Sequence, residues 1–258
     1  MSENKETGTR SKELIVKKPE IYLQIKLMKK KIIVLTGAGI SAESGLQTFR
    51  DADGLWEGFN IEDVATPEAW KRNPVLVQQF YNDRRKAVMA ANPNAAHLAL
   101  KDLEEKYEVL IITQNIDDLH ERAGSSNIIH LHGEIMYARS SKNAALLYKM
   151  NKADIGMDES CELSSPLRPH VVWFGEAVPM ITKAMHEMSK ADIVILIGSS
   201  LAVYPAAGLV ELASIAAPIY VVDPKIPSVN LPNPVIKIEE KASIGVPALV
   251  NKLLKNDY

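Results

Sequence analysis

The sequence predicts an α/β protein whose main domain is a doubly wound parallel sheet, with a second, smaller domain formed by insertions. Apolar runs of strand length recur along the chain, and helical patterns separate several of them; the runs lie at 32–36, 108–113, 128–131, 193–198 and 219–222. Runs such as IIVLT and IVILIG are apolar on both faces, as in a parallel sheet that helices cover on each side. Polar residues or glycine follow these runs, so we expect a ligand at the carboxyl ends of the strands.

Two stretches do not fit this alternation and predict the small domain: one around 55–95 is helical, and one around 134–172 is irregular. The remaining residues then divide into an N-terminal extension, 1–28, and the main domain, 29–54, 96–133 and 173–258. The extension is polar and rich in lysine, and we expect either a short leading helix over 20–28 or a poorly ordered segment.

Composition limits the possible functions. The chain has 258 residues, 47% of them hydrophobic, and a net charge of -2, which is enough for a sizeable core and does not suggest a polyanion-binding protein. No run of 18 apolar residues occurs and the N-terminal segment lacks the apolar stretch of a signal peptide, so we expect a cytoplasmic protein with no membrane or nucleic-acid partner. The single cysteine, Cys161, excludes an intrachain disulfide framework.

The segment from Gly37 to Trp56 has the composition of a phosphate-binding turn after the first strand. Gly37, Gly39 and Gly45 allow a tight turn and a close approach to a pyrophosphate, and a helix expected to begin near Ser41 would offer free N–H groups. Five residues separate the last two of these glycines, whereas the dehydrogenase fingerprint has two. The pattern therefore predicts a Rossmann-like dinucleotide-binding domain but disfavours a hydride-transfer enzyme.

A second polar cluster follows the strand at 108–113. Gln114-Asn115-Ile116-Asp117 offers amides and a carboxylate suited to a ribose and a carboxamide. His132, in HLHGE, is a candidate general base, and His130 competes with it because alternate strand residues share a face. His120 lies early in the helix expected after this cluster, where hydrogen bonding to the cluster's loop is the expected role.

These motifs together resemble the sirtuins, the NAD-dependent protein-lysine deacylases. The resemblance covers about 30–250 and includes QNID, a histidine directly before glycine, NPNAAHLAL at 92–100, LRPHVVWFGE at 167–176 and GSSLAVYPAAG at 198–208. It implies that NAD is a consumed co-substrate. It also implies that His132 takes a proton from a ribose hydroxyl while Asn115 and Asp117 hold the carboxamide and position water, giving free lysine, nicotinamide and O-acyl-ADP-ribose.

The resemblance also implies which residues contact the ligands. The NAD set is Gly37, Ala38, Gly39, Ser41, Phe49, Arg50, Trp56, Gln114, Asn115, Ile116, Asp117, Gly198, Ser199, Ser200, Asp223 and Ala242. The set for the acylated peptide is Tyr81, Arg84, Val172, Phe174, Gly175, Val203 and Tyr204.

Tyr81 and Arg84 point to a particular branch of the family. They lie three residues apart on a predicted helix and so share a face. In the branch that removes succinyl, malonyl or glutaryl groups, a Tyr-x-x-Arg pair at this place binds the carboxylate of the acyl chain, and an arginine fork suits that anion. One alternative is that Arg84 is a solvated arginine beside a core tyrosine. The other is that Arg85, the next residue, is mistaken for Arg84 in this role.

The chain departs from the family at the structural zinc site. Most sirtuins carry two C-x-x-C pairs, and the matching positions here are Ser140, Asn143, Cys161 and about Ser164. Hydroxyl and amide groups are poor zinc ligands, so we predict no structural zinc. The small domain would then be held by packing, with residues 144–148 and Met150 as candidates.

Two other functions use the same motifs. An ADP-ribosyltransferase or NAD hydrolase would release nicotinamide without stoichiometric deacylation. A non-catalytic module that binds NAD or acyl-lysine is disfavoured because His132, Asn115 and Asp117 are all present. For the deacylase we expect acylated-lysine proteins or peptides as partners and a monomeric state.

Overall fold

The computed structural model describes residues 29–47, 55–56, 58–228 and 230–256. The expectations for the N-terminal extension and for Phe49 and Arg50 lie outside these residues. The strands are β1 Lys31–Thr36, β2 Leu55–Trp56, β3 Phe59–Asn60, β4 Glu108–Thr113, β5 Ile128–His130, β6 Gly133–Ser140, β7 Leu147–Lys149, β8 Leu167–Val171, β9 Ile193–Ile197, β10 Ile219–Val222 and β11 Val235–Ile238. The α-helices are α1 Ile61–Val64, α2 Pro67–Arg72, α3 Pro74–Ala90, α4 Ala95–Leu103, α5 Leu119–Arg122, α6 Ile181–Met188 and α7 Ala242–Lys255.

The predicted parallel sheet is confirmed. Six strands pair in the order β11-β10-β9-β1-β4-β5, and every pair in this sheet is parallel. The chain leaves β1 to add β4 on one side and later β9 on the other. The strand order reverses at β1, and at such a point a ligand crevice is expected at the carboxyl ends of the strands.

Both faces of the sheet are covered, as the two-sided apolar strands predict. Ile32 and Val34 of β1 belong to a core that includes residues of α4 and α7. Ile33 and Leu35 point the other way and pack in a second core with α6 and the 3-10 helix Ala206–Leu212. Alternate residues of a strand face opposite sides, so one apolar run anchors both layers and fixes the position of the strand ends.

The region around 134–172 is not irregular as predicted. It contains a three-stranded antiparallel sheet in the order β7-β6-β8, whose register shifts between Gly133 and Ala138. Strand β6, GEIMYARS, contains charged residues and is only partly buried, which weakens the apolar signal that marks the strands of the main sheet. Of the residues expected to hold this region, Leu146, Tyr148 and Met150 pack in its core, whereas Ala144, Ala145 and Leu147 are exposed.

The prediction of a regular helix beginning near Ser41 is wrong. The described residues form two 3-10 turns instead, Ala38–Ile40 and Ala42–Ser44, and Gly45 ends the second with φ 89°. The side chain of Ser41 does not cap a helix but donates to a carboxylate oxygen of Asp117, at 3.1 Å. A side-chain contact across the crevice thus replaces the cap that a helix would need.

The helical part of the small domain, α1 to α3, packs on a separate core. Phe80 and Tyr81 of α3 pack there with Trp173 and Ile135. The fully buried Arg85 joins α3 to the neighbouring segments, because its guanidinium donates to the carbonyl oxygens of Ile135 (2.8 Å) and Ala153 (2.6 Å). The domain boundaries given above stay a prediction. Among the described residues, none of the helices has the length and apolar character needed to cross a membrane.

Candidate active site

A cavity of about 600 Å³ lies at the carboxyl ends of the main sheet, beside the helical part of the small domain. It brings together every predicted site residue that the structure describes. These are Gly37, Ala38, Gly39, Ser41, Trp56, Tyr81, Arg84, Gln114, Asn115, Ile116, Asp117, His132, Val172, Phe174, Gly175, Gly198, Ser199, Ser200, Val203, Tyr204, Asp223 and Ala242. Residues from both predicted domains thus share one pocket.

The floor of the cavity is formed where the loops after β1 and β9 touch. Gly37 N–H donates to the carbonyl of Ile197 (3.0 Å), and Gly39 N–H donates to that of Gly198 (2.9 Å). A Cβ on Gly37 would lie 2.7 Å from the Gly198 oxygen, and one on Gly39 would lie 2.6 Å from the Gly198 Cα. Close packing against Gly198 therefore requires glycine at both positions, in addition to any approach to a phosphate.

The polar residues after β4 tie this loop in place. The Asn115 amide donates to the carbonyl of Gly37 and to Ser41 Oγ, both at 3.2 Å. Asp117 accepts from Ser41 Oγ and from the N–H of Leu119, and burial raises the pKa of its carboxyl group against these hydrogen bonds. Gln114 donates to Ser199 Oγ at 3.0 Å, so one loop contacts both halves of the crevice.

Only one ring nitrogen of His132, Nδ1, faces a backbone carbonyl of the described residues. Its Nδ1 lies 2.9 Å from the carbonyl oxygen of Gln114. A carbonyl only accepts, so Nδ1 carries the proton and Nε2 keeps its lone pair when the ring is neutral. Burial lowers the pKa of His132 in spite of this bond, which keeps the ring neutral and able to accept a proton.

His130, the competing base, is not among the residues that line the cavity. Its two ring nitrogens face acceptors: the carbonyl of Asn115 at 3.2 Å and a carboxylate oxygen of Glu121 at 2.7 Å. Burial disfavours the charged ring, but Glu121 outweighs burial and raises the pKa of His130. Strand β5 ends at His130, so the alternation that put both histidines on one face does not reach His132.

The prediction that the His120 side chain hydrogen-bonds to the loop of Gln114–Asp117 is wrong. His120 Nε2 lies 3.2 Å from Thr36 Oγ1, at the end of β1. Helix α5 starts at Leu119 and turns the buried His120 side chain under the sheet edge. There its ring centroid lies 4.9 Å from that of His97.

Aromatic and cationic side chains enclose the end of the cavity formed by the small domain. Arg84 is buried, its Cζ lies 5.1 Å from the ring centre of Trp56, and its Nη2 donates to the carbonyl of Gln47. Tyr81 is fully buried, and burial raises the pKa of its hydroxyl. The Tyr81 hydroxyl and the Trp173 indole N–H form no hydrogen bond of normal geometry with the described residues. These two groups act on each other, but neither makes a well-aligned hydrogen bond at this apolar end of the pocket.

A largely buried ion cluster of Arg168, Arg139 and Glu176 contacts Trp173 and holds it in place. The Arg168 guanidinium lies 3.2 Å from the ring centre of Trp173 and donates to both carboxylate oxygens of Glu176. Arg139 donates to the same carboxylate, which also accepts the N–H of Trp173. Burial opposes the charge of Glu176, but these donors hold its pKa below the ordinary value.

Two of the positions matched to the zinc cysteines, Ser140 and Cys161, form a small buried cluster with Ser165. Cys161 Sγ lies 3.2 Å from Ser140 Oγ and 3.1 Å from Ser165 Oγ, and the two hydroxyl oxygens are 2.9 Å apart. Ser164, the approximate match to the fourth cysteine, is exposed and lies outside this cluster, whereas Ser165 lies within it. Ser164 instead takes the left-handed backbone conformation, with φ 50°, and its N–H donates to the carbonyl of Cys161.

The cavity also contains residues that sequence reasoning missed: Glu43, Leu46, Gln47, Val88, Trp173, Glu176 and Lys241. Trp173 and Glu176 lie inside the LRPHVVWFGE segment and could have been found there. Glu43 accepts from both the N–H and the hydroxyl of Ser243 at the start of α7. That contact spans 200 residues of sequence and has no local signal.

The fold and the site are those of a dinucleotide-binding α/β enzyme with a histidine in its cavity, and comparison with known proteins gives its family. Residues 37–205 match the Sir2 family. The chain is 51% identical over 226 residues to an NAD-dependent protein deacylase of Helicobacter pylori, covering 88% of this chain and 98% of that protein. The chain therefore belongs to the Sir2 family, the sirtuins.

Solved structures agree with this assignment. A Sir2 homologue mutant in complex with ADP-ribose is 37% identical, with a TM-score of 0.82 over 92% of this chain and 97% of that one. A Sir2 complex with a p53 peptide and NAD+ is 26% identical, with a TM-score of 0.69 over 93% and 98% of the two chains. The Rossmann-like fold with a smaller second domain is thus confirmed.

Proposed function

We propose that this NAD-dependent protein deacylase transfers the acyl group of an acylated lysine to ADP-ribose, with His132 as the general base. The observation that carries the proposal is the Nδ1 bond of His132 to Gln114, which leaves Nε2 as the basic nitrogen of a residue that lines the cavity. The names of relatives about half identical to this chain support the activity, and the peptide and NAD+ in a Sir2 complex support the substrate pair.

The cavity fits NAD by its shape and its donors. The glycines at the contact of the two loops leave no side chain on the floor, and Ser41, Asn115 and Asp117 supply polar groups next to it. When bound, NAD supplies the ribose that accepts the acyl group and the nicotinamide that departs. We propose that Asn115 and Asp117 hold the carboxamide and that Ser199, Asp223 and Ala242 contact the distal part of the molecule.

In this scheme the protein's residues orient the substrates and move one proton. His132 Nε2 takes a proton from a ribose hydroxyl, and the Gln114 carbonyl stabilises the ring as it becomes charged. The low pKa of His132 keeps it unprotonated before that step. The walls formed by Trp56 and Trp173 exclude water from the acyl group.

We further propose that the enzyme acts on acidic acyl groups, such as succinyl and malonyl, as well as on acetyl. Arg84 is buried next to Trp56. The hydroxyl of Tyr81 and the indole N–H of Trp173 make no well-aligned hydrogen bond with the described residues. A carboxylate on the acyl chain would accept from all three groups. An acetyl group offers no carboxylate to Arg84 and no anionic acceptor to the Tyr81 hydroxyl, so it gains less binding free energy in a desolvated pocket.

The test is mass spectrometry of acetyl-lysine and succinyl-lysine peptides incubated with and without NAD, using wild type and Arg84→Met. We expect NAD-dependent loss of both acyl groups in wild type. In the variant, succinyl turnover should fall by about two decades or more, because the carboxylate loses its cationic partner. Acetyl turnover should change much less.

Arg72→Met is the matched control, because Arg72 lies on the surface of α2 and pairs with Asp63 outside the cavity. It should leave both rates unchanged. Equal losses for both acyl groups in Arg84→Met would mean that Arg84 supports the fold, and the acidic preference would be withdrawn. Nicotinamide release without deacylated peptide would instead indicate an NAD hydrolase or ADP-ribosyltransferase.

Finally, we propose that the small domain is assembled without a structural zinc. The support is chemical: the Cys161 thiol and the Ser140 hydroxyl, at two of the matched ligand positions, hydrogen-bond with each other and with the Ser165 hydroxyl. Hydroxyl oxygens compete poorly with thiolate or imidazole for zinc.

A further inference from the structure

Glu121, His130 and Glu134 form a cluster that the deacylase chemistry does not use. Each offers one ligand atom, and these atoms all lie within 4.8 Å of one another. The residues come from α5, β5 and β6, and none of them lines the cavity. We propose that these side chains form an exchangeable site for a divalent transition-metal ion such as Zn²⁺, Ni²⁺ or Co²⁺.

The orientation of His130 is an observation independent of the two carboxylates. Its Nδ1 lies 3.2 Å from the carbonyl oxygen of Asn115, which can only accept a hydrogen bond. When the ring is neutral, the proton is therefore on Nδ1 and the lone pair of Nε2 points at Glu121, 2.7 Å away. Histidines that bind metal ions usually donate their second ring N–H to a carbonyl or carboxylate in this way.

The donor set selects the class of ion. One imidazole and two carboxylates suit zinc and its neighbours, whereas magnesium and calcium prefer oxygen ligands alone. Asp118 and Lys149 also act electrostatically on Glu134, and Asp118 pairs with Arg122 at 3.6 Å. With that pair neutral and the His130 proton displaced by the ion, Glu121 and Glu134 act against one lysine, so the local charge then favours a cation.

The position of the cluster makes the ion exchangeable. Glu121 is exposed, and His130 and Glu134 are partly buried, so water can fill the remaining coordination positions. The site differs from a structural zinc site, which is closed by four protein ligands. A bound ion would fix the His130 ring and, through Nδ1, the Asn115 carbonyl on the outer side of the cavity.

Direct binding to the full-length protein tests the proposal without relying on deacylation. Chelator-treated, buffer-exchanged protein is titrated with Zn²⁺ alone against a chromophoric chelator, and with Co²⁺ alone by visible absorption. Wild type should bind one ion per chain at this site. Glu134→Gln and His130→Asn should each weaken binding by about tenfold or more, a scale typical of changes near a metal.

Glu134→Gln guards against misfolding, because it keeps the size of the side chain and leaves both His130 bonds in place. Glu105→Gln and His186→Asn are matched controls on exposed residues outside the cluster, and they should bind like wild type. Unchanged affinity in Glu134→Gln and His130→Asn would place the ion elsewhere and overturn the proposal. Failure of wild type to bind one ion would do the same, leaving the cluster as an ion pair of His130 and Glu121.

Discussion

The two sides of the His132 ring suit the proton transfer proposed for it. The Gln114 carbonyl fixes the tautomer from one side, and burial keeps the ring neutral. The neighbouring His130 has the opposite environment, because Glu121 favours its charged form. The pKa values of two histidines separated by one residue are thus shifted in opposite directions, because both are buried but only His130 faces a carboxylate.

Replacing His132 by alanine should nearly abolish NAD-dependent deacylation while NAD binding stays measurable. The base acts on a ribose hydroxyl after the dinucleotide is bound, so a loss of about two to four decades in turnover fits its removal. Single-turnover deacylation and equilibrium NAD binding measure the two effects separately. Near-normal turnover in the variant would remove His132 from the proposed role.

At this scale the sequence predicted the candidate site well where its residues are adjacent in motifs. Gln114 to Asp117 and His132 follow strands, and strand ends meet at one edge of a parallel sheet. Residues that reach the cavity from elsewhere were missed, as Glu43 shows with its partner Ser243. Ser165, which was not predicted from the sequence, joins the cluster of Ser140 and Cys161, while Ser164 takes a turn with φ 50°.

At the scale of elements, the turn between β5 and β6 positions His132. Gly133 has φ 79°, and a Cβ at this position would overlap the carbonyl oxygen of His170 in β8. The carbonyl of His132 accepts the N–H of Val172 at 2.9 Å. The base therefore sits on a turn that is held against the small-domain sheet.

Gly133→Ala should destabilise the protein more than Gly124→Ala and should lower turnover as well. Gly124 also has a positive φ, 95°, but an added Cβ would meet only the side chain of Lys101 at 3.6 Å. Both substitutions cost about 1–3 kcal/mol of backbone strain, and only the first adds a clash that displaces His132. Urea unfolding and steady-state kinetics of the two variants check this. Equal stability losses and equal turnover would show that the contact with His170 does not matter.

Elements with a long apolar run were predictable, and those that depend on distant partners were not. β1, β4, β9 and β10 are buried on both faces and lie within a residue of their predicted bounds. β11 was missed because it is a four-residue edge strand with an exposed centre. The strands of the small sheet pair across a register shift, and a single strand does not encode such a pairing.

For the whole molecule, buried histidines set the response to acid. His97 is fully buried, and burial lowers its pKa from 6.5 to about 4. Burial also lowers the pKa of His120, whose ring is adjacent. The unfolded chain binds protons at these sites below pH 6.5 while the folded chain does not. The contribution of these histidines to the free energy of unfolding is therefore fully present above pH 6.5, and it is lost as the pH drops towards 4.

Replacing His97 by glutamine should reduce this acid sensitivity. His97 Nδ1 accepts the N–H of Asn94 in a capping box at the start of α4, and glutamine can keep that bond without titrating. We expect the loss of unfolding free energy between pH 6.5 and 4 to shrink by on the order of 2–3 kcal/mol. Urea unfolding at several pH values measures it, with the exposed His186→Asn as control. Parallel pH curves for His97→Gln and wild type would assign the sensitivity to other groups.

The metal content of the purified protein is a property of the whole chain. We expect far less than one zinc per chain, and we expect chelators to change neither deacylation nor the melting temperature. The reason is the poor ligand set at Ser140, Cys161 and Ser165. Elemental analysis after chelation and buffer exchange separates a tightly held ion from an exchangeable one. Stoichiometric zinc that survives this treatment and is lost in Cys161→Ser would contradict the prediction.

The contact of Gly37 and Gly39 with Gly198 limits how the enzyme can be redesigned or can diverge. The Gly198 backbone has φ 58°, and a Cβ there would lie 2.5 Å from the amide nitrogen of Ile40. A side chain added on either loop thus collides with the main chain of the other. A library that varies Gly37, Gly39 or Gly198 one at a time should therefore yield mostly destabilised proteins, which thermal unfolding of the variants would measure. Both loops must be rebuilt together to adapt the crevice to a different dinucleotide.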